Sequence, residues 1–131
     1  MAQPKNLTDN EIVELYFAWC QAEEAQASYT PLAKAWEAMA DLANDNPERA
    51  WALLLRVIAL ANLEGETLCS AGADCLENLF RVHGPRFIDR IEYGARCDPK
   101  FRRALSCVWE DRNPLRTRID VLLAELGQPR L

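Results

Sequence analysis

The sequence predicts an all-α domain, and three features of its 131 residues carry that expectation. Apolar residues recur at helical spacing through most of the chain. Five of the seven prolines follow a residue that can precede a helix, in Thr30-Pro31, Asn46-Pro47, Gly84-Pro85, Asp98-Pro99 and Asn113-Pro114. Proline suits a first helical position, where its missing N–H would have had no partner. No segment alternates at period two, so no sheet is expected.

The elements follow in order. Thr8-Asp9-Asn10-Glu11 is a capping box, in which the Thr8 hydroxyl and the Glu11 carboxylate satisfy free backbone donors reciprocally. The helix it opens should reach about Glu24, with Ile12, Leu15, Tyr16 and Trp19 on one face. Pro31 to about Ala43 presents Leu32, Ala35, Trp36, Met39 and Ala43. Pro47 to about Asn62 is apolar nearly all round, as a helix in the middle of a bundle would be. A short turn at 66–70 precedes a helix over 73–83 with Leu76, Leu79 and Phe80 inward and Gly84 as its stop. Helices over 85–96, 99–109 and 114–126 complete the set, the last ending at Gly127. About seven short helices joined by tight turns should pack as antiparallel hairpins, as a compact bundle or a short helical-repeat-like array. The whole chain, 1–131, is expected to be one domain with an ordered core of about 8–127.

Charge is divided unevenly. The net charge is −5, but residues 1–80 hold 13 acids and 4 bases while residues 81–131 hold 7 acids and 11 bases. An acidic balance argues against wholesale coating of nucleic acid. The five cysteines, Cys20, Cys69, Cys75, Cys97 and Cys107, include no Cys-x-x-Cys and suggest reduced thiols. The N-terminal residues lack an apolar leader, and the apolar run from Ala50 to Ala61 is interrupted by Arg56. It is shorter than the ~20 residues a bilayer requires. A cytoplasmic protein with no membrane role is therefore expected.

No reaction is written in the sequence. A single histidine excludes His-Glu-x-x-His zinc helices and paired Glu-x-x-His di-iron motifs, and the spacing of Cys69, Cys75 and His83 matches no zinc knuckle. The five glycines are dispersed and form no phosphate-cradling loop. No metal, cofactor or catalytic residue is assigned, and the chain is read as non-enzymatic. His83 suits a carbonyl cap at a helix end, and the four tryptophans, Trp19, Trp36, Trp51 and Trp109, suit the core. Arg56 must reach solvent or pair with an acid of a neighbouring helix, and one dimension does not show whether it shares a pocket with His83. Carboxylate pairs such as Glu23-Glu24, Asp41 with Asp45, and Asp74 with Glu77 are of the kind that exposed helix faces supply.

Two partner classes fit this charge pattern. The first is a basic protein, met by Glu11, Glu14, Glu23 and Glu24 of the acidic N-terminal half. By analogy, small acidic proteins of this kind act as immunity or inhibitor proteins. The alternative is nucleic acid, gripped by Arg96, Arg102 and Arg103 within the arginine-rich helices over 85–118. Glu92 lies four before Arg96 and Asp89 three after Arg86, spacings that would neutralise part of this charge along one helix.

The stretch Cys75-Leu76-Glu77-Asn78-Leu79-Phe80, His83-Gly84, Phe87-Ile88-Asp89-Arg90-Ile91-Glu92, Ala95-Arg96, Asp98-Pro99-Lys100-Phe101-Arg102-Arg103-Ala104-Leu105 and Val108-Trp109 resembles a family of small bacterial helical domains of unknown function. The resemblance covers mainly residues 72–109 and implies a mostly helical, stand-alone bacterial domain. It implies no catalytic residue.

Overall fold

Helix starts are set by local chemistry. Thr8 Oγ1 accepts from Glu11 N at 3.2 Å while Thr8 N donates to the Glu11 carboxylate at 2.9 Å, so the capping box forms. Asn46 and Asp98 cap the helices begun by Pro47 and Pro99, accepting from Arg49 N and Lys100 N. The structure, a computed structural model, describes residues 7–22 and 31–129. Among these the order is α1 Asp9–Gln21, α2 Pro31–Asp45, α3 Pro47–Leu60, α4 Thr67–Ala71, a π-helical turn Gly72–Leu76, α5 Glu77–Cys97, α6 Pro99–Ser106 and α7 Arg116–Glu125. The described residues contain no strand, and the fold is all-α.

Helices distant in the chain pack together, α1 on α4, α2 on α5 and α3 on α6. A linear repeat array would join neighbours only, so the arrangement is the bundle. Its core takes Ile12, Val13 and Tyr16 from α1, Leu53, Leu54, Val57 and Ile58 from α3, and Phe80, Phe87 and Ile91 from α5. Burying these apolar faces is the principal stabilising contribution.

Several boundaries differ from expectation, each for a local reason. No break separates the short 66–70 turn from the next helix, because α4 runs through the π-helical turn into α5. Within this turn a Cβ at Gly72 would lie 1.9 Å from the Ala104 carbonyl oxygen, so only glycine lets α6 approach so closely. Gly84 does not stop a helix. The expected boundary survives as a kink, with His83 at φ −126° and ψ 27° and Pro85 inside the continued helix. Helix α6 ends at Ser106 rather than 109, and α7 starts at Arg116 rather than Pro114. In that turn Asn113 Oδ1 accepts from Leu115 N at 2.9 Å. Gly127, at φ +73°, provides the expected stop after α7. Helix α3 is not enclosed on all sides, since Leu55, Arg56 and Leu60 are exposed.

Candidate functional site

The arginines of the C-terminal half are spent largely within the fold. Glu48, at the start of α3, accepts from both Arg86 and Arg90 of α5, at 2.9 and 2.7 Å. Arg118 of α7 grips Asp89 and Glu92 at 2.9 and 2.7 Å, and Arg96 lies 3.7 Å from Glu125. The expected pairs along one helix, Glu92 with Arg96 and Arg86 with Asp89, therefore give way to pairs between helices, because α7 packs on α5 and offers a better-placed guanidinium. These bonds hold the Glu48 carboxyl below its ordinary range, the Arg90 hydrogen bond contributing most. Arg102 donates to the carbonyls of Ala95 and Arg96 at 2.9 and 3.4 Å, satisfying the end of α5. Arg103 is half-buried and forms no ion pair among the described residues.

Arg116 is buried, at 5% exposure. Its Nη1 donates to the Val108 carbonyl at 2.7 Å and its Nε to Asp120 at 2.9 Å. Nη2 also lies 2.7 Å from that carboxylate, near enough for an ion pair but outside hydrogen-bond geometry.

The acids present the opposite picture. Glu11 is occupied by the capping box, Asp9 pairs with Arg49 at 2.6 Å, and Glu23 and Glu24 lie outside the described residues. Glu14 is exposed. On α2, Glu37, Asp41 and Asp45 recur every fourth residue, all exposed. None of these four has an ion-pair partner among the described residues. Like charges at this spacing repel, and Asp45 ends a helix whose last turn has no basic residue. The stripe thus opposes the stability of its own helix.

Beneath α2 lies a second group. Asp74, on the π-helical turn, accepts from the Tyr16 hydroxyl of α1 and, at 3.0 Å, from the Trp36 indole N–H of α2. Trp19 stacks on Tyr16 with centroids 5.6 Å apart and meets Trp36 at 6.0 Å, so one carboxylate links the outer rings of a three-ring stack. Asp74 is half-buried and forms no ion pair among the described residues. Burial pushes its carboxyl above the ordinary range, against the effect of its two donors. Tyr16 is fully buried and its phenol is pushed well up, first by burial and then by neighbouring Cys20, Cys75 and Asp74. Burial raises the Cys20 thiol to about 12 and Cys75 well above its usual value. The sequence exposed Asp74 with Glu77 as a carboxylate pair. It gave no sign of Tyr16 and Trp36, 58 and 38 positions away.

Other expectations change. Cys69 and Cys107 are not reduced thiols but a disulfide, with Cα atoms 5.2 Å apart. The close approach of Gly72 to Ala104 brings their segments together. Cys20, Cys75 and Cys97 are free. Trp51 packs against Phe87 and Phe101, whereas Trp36 and Trp109 are 38% and 61% exposed and do not belong to the core. Trp109 faces outward because α6 has already ended and its backbone N–H donates to the Glu77 carboxylate at 2.6 Å. Arg56 reaches the surface and bonds the Asn10 side chain at 2.6 Å rather than an acid. His83 Nε2 lies 3.2 Å from the Asn44 carbonyl near the end of α2, a carbonyl cap on a different helix from its own. The two therefore have separate partners.

The described residues hold no group of three or more potential metal ligands, and no helix among them is long and apolar enough to cross a membrane. Fold and surface define a small all-α protein whose α2 carries an acidic stripe without ion-pair partners among the described residues. The chain belongs to the family described as Family of unknown function (DUF6869), whose model matches residues 22–125. No curated protein and no solved structure matches it.

Proposed function

We infer that the protein is a non-enzymatic interaction module of the bacterial cytosol that docks a basic protein through its acidic N-terminal half, in the manner of an immunity or inhibitor protein. One observation carries this reading. The basic residues of the C-terminal half are largely engaged inside the fold, while Glu14, Glu37, Asp41 and Asp45 are exposed without ion-pair partners among the described residues. A like-charged stripe that weakens its own helix is relieved when a complementary surface covers it, and such a surface also speeds encounter. Relative to the sequence, the contact set moves from Glu11 towards α2, because the Glu11 carboxylate is committed to Thr8 N. The nucleic-acid alternative draws less support, since Arg96 and Arg102 already have partners.

The test is capture from cells with the tagged full chain at low and high salt, comparing wild type with a variant carrying Glu14→Lys, Asp41→Lys and Asp45→Lys. The expected result is a stoichiometric basic protein retained by wild type at low salt, released by high salt and absent from the variant. Equal capture by both forms, or nucleic acid retained by wild type and lost on Arg103→Glu, refutes the reading.

A further inference from the structure

Cys69 and Cys107 lie 38 positions apart in sequence and are joined across two segments that also pack against each other. Gly72 rests against the Ala104 backbone, and Leu68, Ala71, Ala104, Leu105 and Val108 are buried around the junction. None of these contacts is made by the sulfur atoms, so they are open to either oxidation state. The two cysteines differ in access. Cys69 on α4 is only partly buried, whereas Cys107, just after α6, is 1% exposed. Of the three free cysteines, Cys20 and Cys75 are buried, with thiols pushed up so that little reactive thiolate forms, which leaves Cys97 as the exposed free thiol.

We propose that Cys69 and Cys107 form a reversible thiol–disulfide site for a dithiol reductant, with Cys69 Sγ the atom attacked, and that its oxidation state sets how firmly the π-helical turn is held. One thiolate of the dithiol attacks Cys69 Sγ as the bond between the two cysteine sulfurs breaks. Cys107 leaves with the bonding pair and takes up a proton. The second thiolate of the dithiol attacks the resulting mixed disulfide and releases Cys69, which is protonated in turn. Two electrons and two protons pass to the chain, and the dithiol becomes a disulfide. The cystine ties down the chain just before the turn, and the hydrogen bond from Trp109 N to Glu77 ties it just after, at 2.6 Å. Reduction removes the first tie and leaves the second. The proposal does not depend on partner binding.

The experiment takes the full chain equilibrated with oxidised or with reduced dithiothreitol, counts thiols by alkylation after denaturation, and follows backbone hydrogen exchange by mass spectrometry. Three cysteines should be alkylated in the oxidised form, the free Cys20, Cys75 and Cys97, and all five in the reduced form. Amides of 67–77 and 104–109 should exchange at least about tenfold faster after reduction, with an upper limit of several hundredfold set by the length of chain the bond closes. Reoxidation should restore protection, and Cys107→Ser should exchange like the reduced form in either buffer. Five reactive thiols under oxidising conditions, identical exchange in the two states, or global unfolding on reduction would each overturn the proposal.

Discussion

Replacing Asp41 with lysine should make the isolated protein more stable. Asp41 stands midway in the stripe of Glu37, Asp41 and Asp45, and so takes part in two like-charge contacts four residues apart. Each such contact costs about 0.2–0.5 kcal/mol, and each opposite-charge contact that replaces it returns a similar amount. Glu37 would precede the new lysine, the better orientation for a helical pair, and a cation in the C-terminal part of α2 also suits the helix dipole. Discounted for solvent exposure, the gain is about 1 kcal/mol at low salt. Urea denaturation at ~20 mM salt should move the midpoint up by roughly 0.5 M with no change in slope, since surface exposed on unfolding is unaltered. At ~1 M salt the electrostatic part should vanish, leaving a few tenths of a kcal/mol from the better helix propensity of lysine. An unchanged or lower midpoint at low salt, or a gain that ignores salt, would refute the claim that the stripe carries uncompensated repulsion.

Other substitutions probe the interior. Gly72→Ala should cost about 2–4 kcal/mol in urea denaturation, because its Cβ would meet backbone rather than a movable side chain, 1.9 Å from Ala104 O. Gly65→Ala, whose added Cβ would lie at an ordinary contact distance of 3.7 Å from Asn62 O, should change stability by less than ~1 kcal/mol in the same assay. Tyr16→Phe should cost about 1–2 kcal/mol, since it removes a buried donor to Asp74 and preserves the ring. Arg116→Met should cost about 1–3 kcal/mol by leaving the Val108 carbonyl without its donor. For pH, the folded state raises the Asp74 carboxyl, so the native protein holds this proton more tightly than the unfolded chain. Its contribution is most favourable below the ordinary carboxylate range and is lost as pH rises through the folded value. Asp74→Asn should therefore gain stability relative to wild type between pH 4 and 7, measured by urea denaturation at each pH.

Much of the helix layout was legible because it rests on neighbours in sequence. Thr8 and Glu11, Asn46 with Pro47, and Asp98 with Pro99 act within one turn, and each starts a helix as read. What eluded the sequence depends on chain segments meeting. Cys69 and Cys107 look like two isolated thiols until Gly72 lets α6 approach. Trp109 carries the right spacing for an inward face, but α6 stops three residues earlier. Asp89 and Glu92 have arginines at helical spacing, yet Arg118 reaches both across a helix interface. The acidic half was visible as composition. Which acids remain free was not, because that depends on where arginines such as Arg49, Arg86 and Arg90 fall in space.

The central claim is that uncompensated acids on α1 and α2 steer a basic protein onto this domain. Its most direct test is the association rate of the captured partner with wild type and with the Glu14→Lys, Asp41→Lys, Asp45→Lys variant, measured by stopped flow across ionic strengths. The expected result for wild type is a rate that falls steeply with salt. The variant should be at least about tenfold slower at low salt and converge on wild type at high salt. Equal rates for the two proteins at low salt would contradict the claim.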